Sequence, residues 1–256
     1  MSTRRERGAD GCADLVLVLP DAEQVCREAR ERFAGEARSA ARERGTFRVA
    51  LSGGSTPRRL YELLAELPAG EAPPAVPWSK VHFFWGDERL VPPDHEASNY
   101  RMAREALLSR LELAPEQVHR VPTELEPERC AQAYEQTLLR AFEGHVRFDL
   151  LLLGIGADGH TASLFPGSPA LEERERLVAA VRAPGGGPDR VTLTLPAFET
   201  ARCGFFLASG AEKAEAVRAA LGGGDSPPPA GRVRLREGRL VWLLDRAAAS
   251  RLPAPD

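Results

Sequence analysis

Four short stretches hold most of the side chains able to do chemistry. "GIGADGH" (154–160) offers Asp158 and His160 two positions apart in a glycine-rich loop. Histidine titrates near neutral pH and serves as a general base, and a carboxylate beside it can fix its tautomer or place a water. "GDER" (86–89) brings Asp87, Glu88 and Arg89 together. Arg89 suits an anion or a developing oxyanion, and Asp87 suits a second acid/base or an orienting group. "SGGSTP" (52–57) supplies Ser52, Gly53, Gly54, Ser55 and Thr56. Its glycines admit close backbone approach, its hydroxyls donate, and a helix start adds partial positive charge, which together fit a phosphate. "SGAEK" (209–213) sets Lys213 near another helix start, and Arg190 heads "RVTLTL" as a further cation.

Each stretch also has a plainer reading. Asp158 can cap a short helix from Thr161, and His160 can be a satisfied loop histidine. Ser55 or Thr56 can cap an ordinary strand-to-helix turn. A charge run in a loop is usually solvated, and an isolated lysine usually lies on the surface. His82, His95, His119 and His145 show no pattern. The letters G-I-G-A-D-G also match a dinucleotide fingerprint, but the context is wrong. That fingerprint belongs to the first strand–turn–helix unit, with an acid at a strand end about twenty residues on. Here three strands precede it, the acids at that distance (Glu172, Glu173, Glu175) lie in a polar run, and Asp158 would face a pyrophosphate with like charge. Nor is "SGGSTP" a P-loop, since the G-K-[ST] ending is absent.

The elements that position these loops follow from periodicity. "LVLVL" (15–19), "FRVAL" (47–51), "VHFFW" (81–85), the leucine run 150–153, "LVAAV", "RVTLTL", "GFFLA" (204–208) and "RLVWLL" read as strands. Asp21 with Gln24 opens a long helix that Gly45 ends. Pro57 sits at a first helical position ahead of Leu60, Leu63, Leu64 and Leu67 at helical spacing. Ser98 caps the next helix, and others run over 127–142, from Gly210 to Leu221, and from Asp245. "GGGDSPPPAG" reads as a flexible surface loop. Strands alternate with helices and several are wholly apolar, which predicts a Rossmann-like three-layer α/β open sheet, mainly parallel, with helices on both faces. Residues 1–13 read as a disordered tail and 14–256 as a single α/β domain. Each of the four chemical loops follows a strand's C-terminal end, and in a parallel sheet those ends share one edge, where ligands bind.

Composition narrows the partners. A net charge of −3 over 256 residues argues against a broad nucleic-acid or anionic-membrane surface. The apolar run 15–19 is too short for a signal-peptide core, and no segment is long enough to span a bilayer. Cys12, Cys26, Cys130 and Cys203 form no C-x-x-C pair, consistent with free thiols in a reducing compartment, so a cytoplasmic protein is expected.

Taken in order, "SGGSTP", "WGDERLVPPDHEASNY", "FDLLLLGIGADGHTASLFPGS", "RVTLTLPAF" and "SGAEKAEAV" resemble the glucosamine-6-phosphate isomerase/6-phosphogluconolactonase family over roughly residues 14–252. Deaminases of that family typically read aspartate-glutamate-tyrosine where this chain has "GDERL", and asparagine-glutamate-proline where it has "TASLFP"; both differences favour the lactonase branch. One departure is "PPPAGRV", where lactonases often carry a serine before the valine. The resemblance implies hydrolysis of 6-phospho-D-glucono-1,5-lactone to 6-phospho-D-gluconate, the second step of the oxidative pentose phosphate pathway, with no metal and no cofactor. It implies His160 as base, Asp158 orienting it, and Arg89 and Asp87 in the catalytic set. Ser52, Gly53, Gly54, Ser55, Thr56, Lys213 and Arg190 would hold the substrate. The expected partner is a small sugar phosphate, and the expected assembly a monomer or weak homo-oligomer. Competing expectations are an amino-sugar-phosphate isomerase/deaminase with Asp87 as proton shuttle, and a non-catalytic sugar-phosphate sensor.

Overall fold

The four leucines 150–153 have no exposed face, each being 2% exposed or less, as a strand covered on both sides requires. In the computed structural model of the chain, which describes residues 2–6, 13–222, 224 and 226–253, they form one strand inside an open sheet. The strands are β1 (Ser2–Glu6), β2 (Ala13–Leu19), β3 (Phe47–Leu51), β4 (Val81–Trp85), β5 (Asp87–Arg89), β6 (Leu150–Gly154), β7 (Val178–Val181), β8 (Arg190–Leu193), β9 (Cys203–Ala208) and β10 (Arg239–Asp245). The sheet runs β1-β2-β10-β9-β6-β3-β4. Six strands are parallel and β1 alone pairs antiparallel, on β2.

The helices are α1 (Ala22–Arg44), α2 (Ser55–Leu64), α3 (Asn99–Ala106), α4 (Pro127–Ala141), α5 (Leu195–Glu199), α6 (Ala214–Leu221) and α7 (Pro229–Arg232). Asp21 caps α1 by accepting from the Gln24 N–H at 2.9 Å, and Gly45 ends it in the left-handed region at φ 75°. Ser98 caps α3 through the Arg101 N–H. The expected α/β architecture is present, and strand order fixes where its crevice lies. From β3 the chain moves outward to β4, then returns to β6 on the other side of β3 and continues to β9. The order reverses between β3 and β6, and ligand crevices open at such a reversal, beyond the carboxyl ends of the strands.

Several local expectations change. The segment read as a tail contains β1, while residue 1 and residues 7–12 lie outside the described residues. "GDER" is not a loop. Asp87–Arg89 is a short strand pairing antiparallel with β8, which pairs in turn with β7, so "LVAAV" and "RVTLTL" belong to a separate three-stranded sheet. Pro57 is the third residue of α2, not the first. Past Asp245 the chain forms hydrogen-bonded turns, because the Asp245 carboxylate accepts from the Ala248 and Gly210 N–H groups and ties the chain down locally. "GGGDSPPPAG" is only partly a surface loop: it leads into α7, which packs on α6. Cys26, Cys130 and Cys203 are buried free thiols; Cys12 lies outside the described residues. Among the described residues no helix is long and apolar enough to cross a membrane.

Two histidines without a sequence pattern meet in space. His82 Nδ1 and His119 Nε2 lie 3.1 Å apart, and His119 stacks on Phe84 with ring centroids 4.3 Å apart. Burial first, then the charges on His82 and Arg48, hold the His119 pKa down to about 4 from the ordinary 6.5. The unfolded chain therefore binds the proton more readily between those values, and stability is lost as pH falls from 6.5 toward 4. After allowance for partial solvent exposure the effect is on the order of 1 kcal/mol, or roughly 2–4 °C in Tm. His119→Phe, which keeps the stack and cannot titrate, should flatten that part of a Tm-against-pH curve.

Candidate active site

The turn from β3 into α2 carries no side-chain cap. Gly54 occupies the N-cap position at φ 106°, so neither Ser55 nor Thr56 caps the helix as the plainer reading supposed. The first N–H groups of α2 are left without a capping side chain, the arrangement that receives an anion. Ser52 before it is held by one buried phenol: the Tyr61 hydroxyl accepts from the Ser52 N–H at 2.9 Å and donates to the Ser52 carbonyl at 2.8 Å. Gly53 lies so close to Asn99 that a Cβ there would fall 2.2 Å from the Asn99 amide oxygen.

Beside it, beyond β6, the glycines of "GIGADGH" serve a purpose other than pyrophosphate binding. A Cβ on Gly156 would fall 2.1 Å from His160 Nδ1 and 2.5 Å from an Asp158 carboxylate oxygen. Gly159 has φ 82°, and Pro228 packs against it. Asp158 Oδ1 accepts from the His160 N–H at 3.1 Å and lies 2.6 Å from His160 Nδ1. Asp158 therefore holds its own neighbour and caps no helix; residues 161–164 form a turn closed by a Thr161–Leu164 bridge. Burial works to raise the Asp158 pKa, but the His160 backbone and ring outweigh it, and the carboxyl ends below its ordinary value. An ionised carboxylate only accepts, so Nδ1 carries the ring hydrogen and Nε2 presents a bare lone pair. Behind this turn the Ala230 N–H donates to the Gly159 carbonyl at 2.9 Å. The departure at "PPPAGRV", Arg232 before the valine, pairs with Glu172 and donates to the Leu171 carbonyl, and it does not line the cavity.

The small sheet closes the crevice. Arg89 and Arg190 are register partners across β5 and β8. Arg89 Nη1 donates to the Ala97 carbonyl at 2.6 Å, and Arg190 Nη1 stands 3.9 Å from the Asp87 carboxylate. The Nε of each is buried without a hydrogen-bond partner among the described residues. Burial, then the like charge of Arg89, depresses the Arg190 pKa, with Asp87 and Glu88 opposing. Two adjacent guanidiniums with unused buried donors fit an anionic ligand. Asp87 accepts from Ser163 Oγ at 2.6 Å on one carboxylate oxygen, and the Asn99 amide stands 3.4 Å from the other. Glu88 faces elsewhere, accepting from the N–H groups of Arg89, Asn99 and Tyr100 at 2.7–2.8 Å and so tying β5 to the start of α3. Burial raises its pKa against those three donors. Lys213 ends a 3-10 turn ahead of α6, and Gly210 at the head of that turn donates to Asp245. It is one of only two lysines among the 34 lysines and arginines. Where nearly every other cation is a planar guanidinium, this position holds a compact ammonium.

A cavity of about 200 Å³ lies at the reversal between β3 and β6, lined by Ser52, Gly53, Gly54, Asp87, Arg89, His160, Arg190 and Lys213 among others. Eight of the expected residues thus converge. Ser55 and Thr56 open α2 and Asp158 stands behind His160, none of them in the lining. A larger depression of about 440 Å³ lies near Gly144 and Thr200, but its Arg147 and Arg236 are already ion-paired with Glu237 and Glu199. Sequence reasoning missed Asn99, which lines the cavity, and Tyr61, Ser163 and Phe165 behind it; of these only Asn99 had a signal, as a polar residue beside the Ser98 cap. Ser163→Ala should cost about 1–3 kcal/mol of stability by leaving a buried carboxylate short of a donor, seen as a lower urea midpoint at unchanged slope. Among the described residues no cluster of three or more His, Cys, Asp or Glu is placed to hold a metal ion.

The family model described as glucosamine-6-phosphate isomerases/6-phosphogluconolactonase matches residues 20–242. The chain is 44% identical over 217 residues to a 6-phosphogluconolactonase of Synechocystis sp., covering 82% of this chain and 86% of the relative. It is 46% identical over 219 residues to the 6-phosphogluconolactonase of Homo sapiens, covering 83% of each. Its fold matches the solved 6-phosphogluconolactonase from Trypanosoma cruzi with a TM-score of 0.82 at 31% identity, over 99% of both chains. At these identities and coverages, the chain belongs to the glucosamine-6-phosphate isomerase/6-phosphogluconolactonase family.

Proposed function

We propose that this chain hydrolyses 6-phospho-D-glucono-1,5-lactone to 6-phospho-D-gluconate, with His160 as general base. The observation that carries the reading is a histidine held at Nδ1 by Asp158, in a cavity also lined by Arg89, Arg190, Lys213 and by Ser52, Gly53 and Gly54 of the turn into α2. Base and phosphate grip stand in one small space. His160 Nε2 takes a proton from water as the oxygen attacks C1. The carbonyl oxygen becomes an oxyanion beside a guanidinium. The C1–O5 bond then breaks, and the proton on His160 passes to O5. Gripping the phosphate far from C1 converts binding energy into orientation of the lactone. Asp87, held by Ser163 and 3.9 Å from the Arg190 guanidinium, orients that arginine.

The test is the rate of 6-phosphogluconate formation from freshly made lactone, coupled to NADP reduction by 6-phosphogluconate dehydrogenase, above spontaneous hydrolysis. Acceleration with no ammonia released from glucosamine 6-phosphate is expected. Ammonia release without lactone hydrolysis would replace this reading with the deaminase. A thermal-shift gain with 6-phosphogluconate but no turnover would replace it with a sensor.

A further inference from the structure

We propose that Phe165 is a positioning residue whose ring holds the His160 imidazole and the Arg190 guanidinium together, so that Arg190 is the cation at the reacting carbonyl and Arg89 the one at the phosphate. This rests on the reading above. The His160 and Phe165 ring centroids are 4.8 Å apart at 47°, and the Arg190 Cζ lies over the same ring, 5.6 Å from its centroid. Phe165 is only 8% exposed. Its backbone is fixed on both sides: the Leu164 N–H donates to Thr161 at 2.9 Å, and the Phe165 carbonyl accepts from Ser168 at 3.0 Å.

The two arginines are held differently. Arg89 is bonded to Ala97, next to Ser98 and Asn99, and Asn99 abuts Gly53 of the phosphate turn. Among the described residues Arg190 has the 3.9 Å approach to Asp87 and the Phe165 face. A guanidinium over a π-face is held electrostatically while its N–H donors stay available at the edge. Arg89 is thereby fixed toward α2 and Arg190 toward His160. The charged groups facing His160 are Asp158 in its own turn, Asp87 and Arg89 from β5, Arg190 from β8 and Lys213 beyond β9.

The experiment compares Phe165→Leu, which keeps apolar bulk and loses the π-face, with Phe165→Tyr, which keeps the face. We expect kcat to fall roughly ten- to a hundredfold in the leucine variant, the scale of a misplaced reacting group. KM should stay within about twofold, because the phosphate grip is untouched. The tyrosine variant should recover most of kcat. The His160 ring protons should lose the ring-current shift of the neighbouring aromatic face in the leucine variant and keep it in the tyrosine variant, whatever the substrate proves to be. The proposal is overturned if the leucine variant keeps kcat within about twofold, if kcat falls only in step with Tm while the His160 resonances stay put, or if tyrosine does no better than leucine. Failure of the wild-type protein to hydrolyse the lactone would overturn the proposed function instead, and the NMR comparison would still test the ring.

Discussion

Replacing His160 with alanine is expected to lower kcat for the phospholactone by roughly 10²–10⁴-fold, the usual contribution of a positioned general base. The fold should survive. His160 is partly exposed, and its bonds stay within its own turn, with Asp158. Tm should therefore move little, since surface substitutions typically change stability by under about 0.5 kcal/mol. Phosphate binding should also persist, because Arg89, Lys213 and the N–H groups that open α2 are untouched. The signature is a loss in kcat with KM nearly unchanged, which marks an interaction made only in the transition state. A rise in KM alone would place His160 in the binding set, and an unchanged kcat/KM would remove it from the mechanism.

Gly156→Ala is the second large expected effect, and it touches no atom of the substrate. The new methyl would need the space that His160 Nδ1 and the Asp158 carboxylate now fill, at 2.1 Å and 2.5 Å. Real Cβ contacts never come so close, so the pair must shift. Displacement of a base by about 1 Å can cost 10²-fold, and kcat should fall by about that factor. The turn keeps its own bonds, Gly156 N–H to the His160 carbonyl at 2.8 Å and Gly159 N–H to the Gly156 carbonyl at 3.0 Å. The loss should therefore be catalytic first, measured as a fall in kcat larger than any fall in Tm explains. Wild-type kcat in this variant would mean that the turn tolerates a side chain there and that the glycine is not required by the His160–Asp158 pair.

This second prediction separates what the sequence made legible from what it hid. Apolar runs ended by glycine-bearing loops are a local signal, so β3, β4, β6 and β9, with the loops after them, were readable. Convergence of those loops then followed from parallel pairing. The rejection of a dinucleotide site for G-I-G-A-D-G was also readable from context, but the glycines' actual task was not, because it depends on how His160 folds back over Gly156. β5 was hidden because three polar residues carry no period, and its partner Arg190 lies about a hundred positions away. Pairing of that kind is set by tertiary packing, not propensity. Ser163 and Phe165 were hidden for the same reason: a serine and a phenylalanine in "TASLF" look like ordinary core until Asp87 and Arg190 arrive beside them. The helix expected from Asp245 failed because that carboxylate accepts from two backbone N–H groups and fixes turns.

The central claim is one of orientation: a base at one end of the cavity and an anion grip at the other. A crystal structure with 6-phosphogluconate bound tests it most directly. The account predicts the C1 carboxylate within hydrogen-bond reach of His160 Nε2 and Arg190, with the phosphate on Arg89, Lys213 and the N–H groups that open α2. A phosphate seated on His160, or a sugar acid bound outside the crevice between β3 and β6, would contradict it.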